Sequence, residues 1–433
     1  MTRMKESGID WIGKIPEEWR VMPIKHIVET PVTDGPHETP VLYETGIPFL
    51  SAEAVKDGVL DFNFKRGYIS LKDHDRFKKK ISPKKDDIFI VKSGATTGNV
   101  GIVNTDEIFD IWSPLALIRC NKTLAIQKYI YFYLLSTLFK SQVEFNWSFG
   151  TQQNIGMGVI ERIKVILPPV SEQQKIVEVL DKKTAQLDKV KALLEEQIQK
   201  LKDYRDSLIY ETVTKGLDKT VPLKDSGIDW IGQVPQGWGV GKVKYFSQIS
   251  AGATPDRNNS LFWNGNINWM SSGEVNQGIV KHTFETITDL ALKRTSTKLL
   301  PNGTVMLALN GQGKTKGTAA VLAIESASNQ SLASFIVDNK ILNNMYLYYF
   351  FVANYYNIRG LKGEDRDGLN LQLVSNIVIP LFELEEQQKL VDFLDKKTVQ
   401  IDKLIQIKNE QIDNINKQRQ TLIYDYVTGK RRV

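Results

Sequence analysis

The 433-residue sequence holds one cysteine, Cys120, and four histidines. A single cysteine builds neither a disulfide framework nor a thiolate metal cage. His26, His37, His74 and His282 are scattered without metal-ligand spacing. No apolar run approaches the roughly 20 residues that span a bilayer. The opening "MTRMKESGIDW" lacks a signal peptide's apolar core, so the expected compartment is the cytoplasm. Catalytic motifs are missing too. "ALNGQGKT" comes nearest to a phosphate-binding loop, but Gly313, Lys314 and Thr315 need a glycine five residues before Gly313, where Ala308 stands. "LPPV" at residues 167–170 lacks the Asn or Asp and the aromatic that an amino-methyltransferase sets around two prolines. "TPD" at 254–256 has no Glu-x-Lys after it, since Glu274 is followed by Val275 and Asn276. Catalysis is therefore expected in partners.

What the chain does have is internal repetition. "KESGIDWIGKIPEEWRV" begins at Lys5 and "KDSGIDWIGQVPQGWGV" at Lys224, so Trp11, Pro16 and Trp19 match Trp230, Pro235 and Trp238. Downstream, "EQQKIVEVLDKKTAQLDKV" from Glu172 matches "EQQKLVDFLDKKTVQIDKL" from Glu386. "LIYETVT" at 208–214 likewise matches "LIYDYVT" at 422–428. The period is too long for a solenoid. One large unit occurs twice, and the segments between the repeated blocks, 21–169 and 240–380, are only faintly alike. The length permits two or three domains with their own cores. The net charge of +6 and pI near 8.9 are compatible with a nucleic-acid partner without demanding one.

The second repeated block reads as a long helix. After Pro168 and Pro169, Ser171 followed by Glu172 is expected to cap it, and neither Gly nor Pro recurs until Gly216. Leu180, Leu187, Leu194, Leu201 and Leu208 fall at strict seven-residue spacing, with Val190, Ile198 and Tyr204 between them. That is a coiled-coil seam. In the second copy Leu394, Ile401, Ile415 and Leu422 keep the register, helped by Leu404, Ile405 and Ile412, while Lys408 interrupts it. Each helix would span about 60 Å. Connectivity favours the two helices pairing antiparallel, with the first "SGIDWIG" against the end of the second helix and the termini close together. Two independent coils recruiting separate partners is the competing arrangement.

The variable segments combine strand-like runs, "DDIFIVKSG" (86–94) and "GTVMLALNG" (303–311), with apolar helical stretches at 126–143 and 343–358. Their polar loops carry side chains suited to base edges and phosphates. In the first segment these are His37 and Thr39 in "DGPHETP"; Lys92, Ser93, Thr96, Thr97 and Asn99 in and beside "SGATTGN"; and Gln152, Gln153 and Asn154 in "SFGTQQN". The run Lys78–Lys80 with Lys84 and Lys85 could neutralise phosphates. In the second they are Thr254, Arg257, Asn258 and Asn259 in "TPDRNN", and Ser271. Asn310, Gln312, Lys314, Thr315 and Lys316 follow in "NGQGKTKG", then Arg366 and Asn370 in "GEDRDGLN". Such loops are commonly plain turns and such a lysine run a solvated face, so their chemistry alone does not decide.

These features together resemble the specificity subunit of type I restriction-modification systems along essentially the whole chain. The resemblance rests on the "SGIDWIG…P…W" segments, "GATP…FWNGNINWMSS" at 252–272, the "SG" and "NGQG" loops, and above all the "EQQKIV" and "EQQKLV" helix starts. It departs at Asp86–Asp87, where members often carry Gly–Asp, and at Lys408. It implies an α+β fold: a tandem duplication of a mixed α/β target-recognition domain plus a long helix, the two helices pairing as an antiparallel coiled coil. The implied domains are 1–170 and 217–384 for target recognition, and 171–216 and 385–433 for the helices. Each recognition domain would read half of a split double-stranded DNA site. The coil would set the spacing and dock two methyltransferase subunits, to which restriction-translocase subunits add. The chain would need no cofactor; S-adenosylmethionine, ATP and magnesium would belong to the partners. A stand-alone nuclease or DNA-modifying enzyme, and a coiled-coil adaptor that binds protein only, are the alternatives.

Overall fold

The computed structural model describes residues 3–9, 12–146, 153–311, 313–361 and 368–433. The chain divides into unit 1, Met1–Leu194 with Asn409–Val433, and unit 2, Glu195–Lys408. The two long helices therefore each contribute to both units.

Unit 1 contains a six-stranded sheet built from β1 (Thr33–Asp34), β2 (Val55–Lys56), β3 (Val59–Leu60), β4 (Ile88–Val91), β5 (Val100–Ile102) and β6 (Leu115–Ile118), in the order β1-β6-β4-β5-β3-β2. Unit 2 contains β7 (Ser247–Ala251), β8 (Ile279–Val280), β9 (Val305–Ala308), β10 (Ala319–Leu322) and β11 (Leu332–Val337), in the order β7-β11-β9-β10-β8. The central strands β4 and β9 read as unbroken apolar runs because every residue in them is buried. In both sheets the β5–β3 and β10–β8 pairs are parallel and the other equivalent pairs antiparallel. The faintly similar interiors thus share one topology.

Each apolar helical stretch folds as two helices. In unit 1 α1 (Gln127–Leu135) and α2 (Thr137–Phe145) are separated by Ser136, whose backbone is extended and whose hydroxyl donates to the Tyr133 carbonyl. Then comes α3 (Val170–Lys215). In unit 2 α4 (Asn344–Ala353) and α5 (Tyr355–Arg359) break at Asn354, and α6 (Leu384–Val427) ends the sequence of helices. Helix α3 begins one residue before the serine expected to cap it. The Pro169 carbonyl accepts from the Glu172 and Gln173 amides, and Ser171 lies exposed in the first turn.

The repeated blocks fit one another within each unit. Strand Arg20–Pro23 pairs with Lys164–Leu167, directly before α3, and Gly239–Lys242 pairs with Val378–Leu381, directly before α6. Trp19 and Trp238, both buried, donate from Nε1 to Glu172 (2.9 Å) and Glu386 (3.3 Å). These tryptophans plug the start of each long helix. The other tryptophan of the first repeated segment, Trp11, lies outside the described residues, while its counterpart Trp230 is half-buried against Phe350. Behind them Gln173 and Gln387 are fully buried and make matching bonds. Gln173 accepts from the Ile126 amide and donates to the Leu124 and Pro168 carbonyls; Gln387 accepts from Asn343 and donates to Ile341 and Phe382. The "SGIDWIG" turns close alike, Ser7 donating to the Gly13 carbonyl and Ser226 to Gly232. In unit 1 the first such segment lies against the end of α6. Gly429 approaches Pro16 and Trp19 so closely that a Cβ would stand 2.5 Å from the proline ring, and Arg432 pairs with Glu18 and Glu172. Residues 16–19, near one end of the sequence, and 429–432, near the other, are therefore neighbours.

The long helices pair antiparallel in each unit. In unit 2 Gln197 meets Lys408 (2.5 Å) and Arg205 meets Asp402 (2.8 Å), numbers running in opposite directions. In unit 1 Asp188 meets Arg419 (3.3 Å), and Leu180 shares a core with Ile423 and Tyr426. Leu180, Leu394 and Ile401 are buried; Leu187, Leu194, Leu201, Leu208, Ile412, Ile415 and Leu422 are half-buried. The second track of the α3 seam is Thr184, Lys191, Ile198, Arg205 and Thr212. Val190, Tyr204 and Leu404, expected to support the seam, are instead exposed. A two-helix contact buries only two positions per heptad, and these three fall beside it.

Candidate nucleic-acid interface

In unit 1 three polar loops far apart in sequence come together at one end of β4. Asp34 is the hub. Its carboxylate, 1% exposed, accepts from Lys80 (2.6 Å), Lys92 (2.5 Å) and His37 (3.0 Å). Burial pushes this carboxyl's pKa up, but hydrogen bonds from Lys80 and Lys92 outweigh it and hold the value below the ordinary one. The third loop joins through backbone: the Gly94 amide and the Thr97 hydroxyl both donate to the Gln153 carbonyl, and Ser93 bridges Asn154. His37, Thr39, Thr96, Asn99, Gln153 and Asn154 are exposed, Ser93 half-buried and Thr97 buried. Lys92 is only 12% exposed and fastens the loops together. In the lysine run Lys78 and Lys85 pair with Asp75 and Asp106, while Lys79 and Lys84 have no ion pair among the described residues.

In unit 2 the corresponding loops meet around residues 328–331. The Ala253 amide donates to the Ser328 carbonyl, Thr254 donates to the Gln330 side chain, and Leu309 donates to the Ser331 carbonyl. The Leu369 amide donates to the Leu309 carbonyl, and Gly368 lies directly on the Asn310 side chain. Loop 254–259 is stapled by tryptophans: Trp269 Nε1 donates to Ala253 and Trp263 Nε1 to Asp256. Arg257 lies over both indoles, 4.0 and 5.2 Å from their centroids, with its guanidinium paired to Glu285. That pairing lowers the Glu285 pKa and raises that of Arg257. Asn259 and Asn370 accept from amides at helix starts, Ser271 and Glu274 form a capping box, and Asn258 is exposed. Asn310 and Lys314 are exposed, Thr315 half-buried and Lys316 buried. Gln152, Gln312 and Arg366 lie outside the described residues.

No three of His, Cys, Asp and Glu come together as a metal ion would require among the described residues. Cys120 is buried, and burial pushes its thiol up to about 12. No helix is long and apolar enough to cross a membrane among the described residues.

The type I restriction modification DNA specificity domain matches twice, over residues 16–202 and 235–417. The chain belongs to the type I restriction-modification DNA specificity family. It is 24% identical over 438 residues to the type I restriction enzyme MjaVIII specificity subunit of Methanocaldococcus jannaschii, covering 97% of this chain and 94% of that one. It is 24% identical over 316 residues to the type I restriction enzyme EcoBI specificity subunit of Escherichia coli, covering 69% and 65%. A solved chain from work on complex assembly and conformational transition of the type I R-M system matches with a TM-score of 0.73 at 16% identity, over 96% and 99% of the two chains. That likeness supports the fold. As a specificity-family chain it has a recognition role rather than a catalytic one, within a multi-subunit restriction-modification complex. Sequence reasoning missed Asp34, Glu285, Tyr356 and Arg359. The loop reading singles out neither acid, and Tyr356 falls within the apolar helical stretch expected at 343–358, although it is 82% exposed.

Proposed function

We propose that the clustered loops of each unit read one half of a bipartite DNA site, and that the paired helices hold the spacing and dock two copies of one methyltransferase subunit. Residues 1–170 and 217–384 would then act as the target-recognition domains. Restriction-translocase subunits would add to this core. S-adenosylmethionine, ATP and magnesium would be brought by those partners.

The observation that carries the two-copy reading lies off the seam of the long helices. Val190 and Leu193 on α3 are 47% and 48% exposed, and their counterparts Leu404 and Ile407 on α6 are 47% and 41% exposed. Paired apolar side chains in water at matching places of both repeats are costly unless a partner covers them. A duplicated patch fits two identical partners. Native mass spectrometry of the complex with its methyltransferase tests this. V190D/L193D should remove one methyltransferase copy, L404D/I407D the other, and the combination both. Retention of two copies by the fourfold variant would refute the docking assignment. Methyl transfer or cleavage by the purified chain alone would favour a stand-alone enzyme instead.

A further inference from the structure

Loop 310–317 of unit 2 is fastened to α5 by side chains that strand pairing does not require. Tyr355 donates from its hydroxyl to the Lys314 carbonyl at 3.0 Å. Arg359 donates to the Gly313 carbonyl at 2.7 Å and to the Tyr355 hydroxyl at 3.0 Å. Gly317, at φ +85°, lies directly on Arg359, where a Cβ would stand 3.3 Å from the arginine's own Cβ. These contacts leave a concavity of about 370 Å³ lined by Gly313, Lys314, Tyr355, Tyr356, Arg359 and Gly360. Two groups stand ready at its rim. The Lys314 ammonium has no ion pair among the described residues, and Tyr356 is 82% exposed with its ring edge-on to Tyr355.

The ligand class follows from this chemistry. A cation with no ion pair among the described residues, lining the same concavity as an exposed tyrosine, matches a phosphate and the apolar face of its sugar. The volume admits one nucleotide's worth of backbone. A bound nucleoside triphosphate is disfavoured, since Ala308 stands where a phosphate-cradling loop needs glycine. The concavity adjoins the recognition loops, because the Leu369 amide donates to Leu309 at the start of loop 310–317. In unit 1 the matching loop is held differently, by Thr97 and Gly94 on Gln153.

Resting on the recognition reading above, we infer that this concavity seats one nucleotide of the DNA backbone in the half-site read by unit 2. Lys314 takes the phosphate and Tyr356 packs on the deoxyribose. Tyr355 and Arg359 are positioning residues that hold the loop in shape.

The test is fluorescence anisotropy on the complex assembled with its methyltransferase, using the duplex bearing its own methylated motif and a scrambled duplex of equal length, across a salt series. K314A should weaken binding to both duplexes about tenfold and reduce the slope of log affinity against log salt by about 1. Y356A should weaken binding about tenfold with the slope unchanged, and Y356F should bind like wild type. R359M should narrow the preference for the motif duplex without changing the slope, and R359K should restore part of it. If wild type prefers its motif while K314A and Y356A match it in affinity and slope, the nucleotide seat is wrong and the recognition reading stands. If wild type binds both duplexes alike, the recognition reading fails and takes the seat with it.

Discussion

Replacing Gln173 by alanine should expose what the "EQQK" signature is for. The side chain is fully buried and satisfies three backbone groups: the Ile126 amide at 2.8 Å, the Pro168 carbonyl at 2.9 Å and the Leu124 carbonyl at 3.1 Å. The bond to Pro168 is wholly buried and the other two partly so. Leaving a buried backbone group unpaired costs about 1–3 kcal/mol, and each partly solvated one about 0.5–1 kcal/mol. With the cavity left by the missing atoms, Q173A should lose about 3–4 kcal/mol. Q387A should lose a similar amount, because Gln387 makes the matching three bonds. Urea unfolding measures the loss, and amide exchange locates it. Q173A should deprotect the Ile126 amide and unit 1 while sparing unit 2, and Q387A should do the reverse. A loss below about 1 kcal/mol would refute the three-bond accounting. Equal deprotection of both units by either variant would refute the idea that each glutamine serves its own half.

Three other perturbations follow from particular residues. D34N leaves Lys92 little exposed and without its anion, so at neutral pH it should cost about 2–3 kcal/mol. Because the Asp34 carboxyl sits below its ordinary value in the folded state, its stabilisation is complete above the ordinary carboxylate range and fades as pH falls through the folded value. The gap between D34N and wild type in denaturation should therefore close below about pH 4, and an equal gap at pH 3 and pH 7 would count against it. K408L puts leucine at the seam place that Leu194 fills in the first repeat. It exchanges one exposed hydrogen bond to Gln197 for packing near Ile198, and unfolding should show a gain of about 1 kcal/mol. Asp86 has φ +71° where the second repeat has Gly303 at φ +88°. D86G should therefore be neutral to slightly stabilising, while D86V, β-branched in the left-handed region, should cost about 2 kcal/mol by thermal unfolding.

The doubled frame was legible because it is written in nearly the same letters twice, and the reasons for those letters are local. Glycine at both ends of "SGIDWIG" takes positive φ, tryptophan meets the glutamate that opens each helix, and glutamine closes the gap behind it. The shared topology of the variable interiors was not legible. A strand position asks only for burial, and β4 and β9 meet that demand with "IFIV" and "VMLA". The seam's leucines could be read from spacing, but its second track could not, since Thr184, Lys191 and Arg205 carry no apolar signal. The loops announced themselves by polarity. What spacing could not reveal was which polar groups hold the loops and which face outward. Lys92, Lys316 and Thr97 are drawn inward, whereas Tyr356 emerges from a run of aromatics.

The central claim is that two units of one topology each own one half of a DNA site. Exchange of residues 21–169 for the matching segment of another family member, followed by methylome sequencing of a host carrying the complex, tests it most directly. The account predicts that one half of the methylated motif changes while the other half and the spacing between them stay as they were. A change in both halves, or in neither, would contradict it.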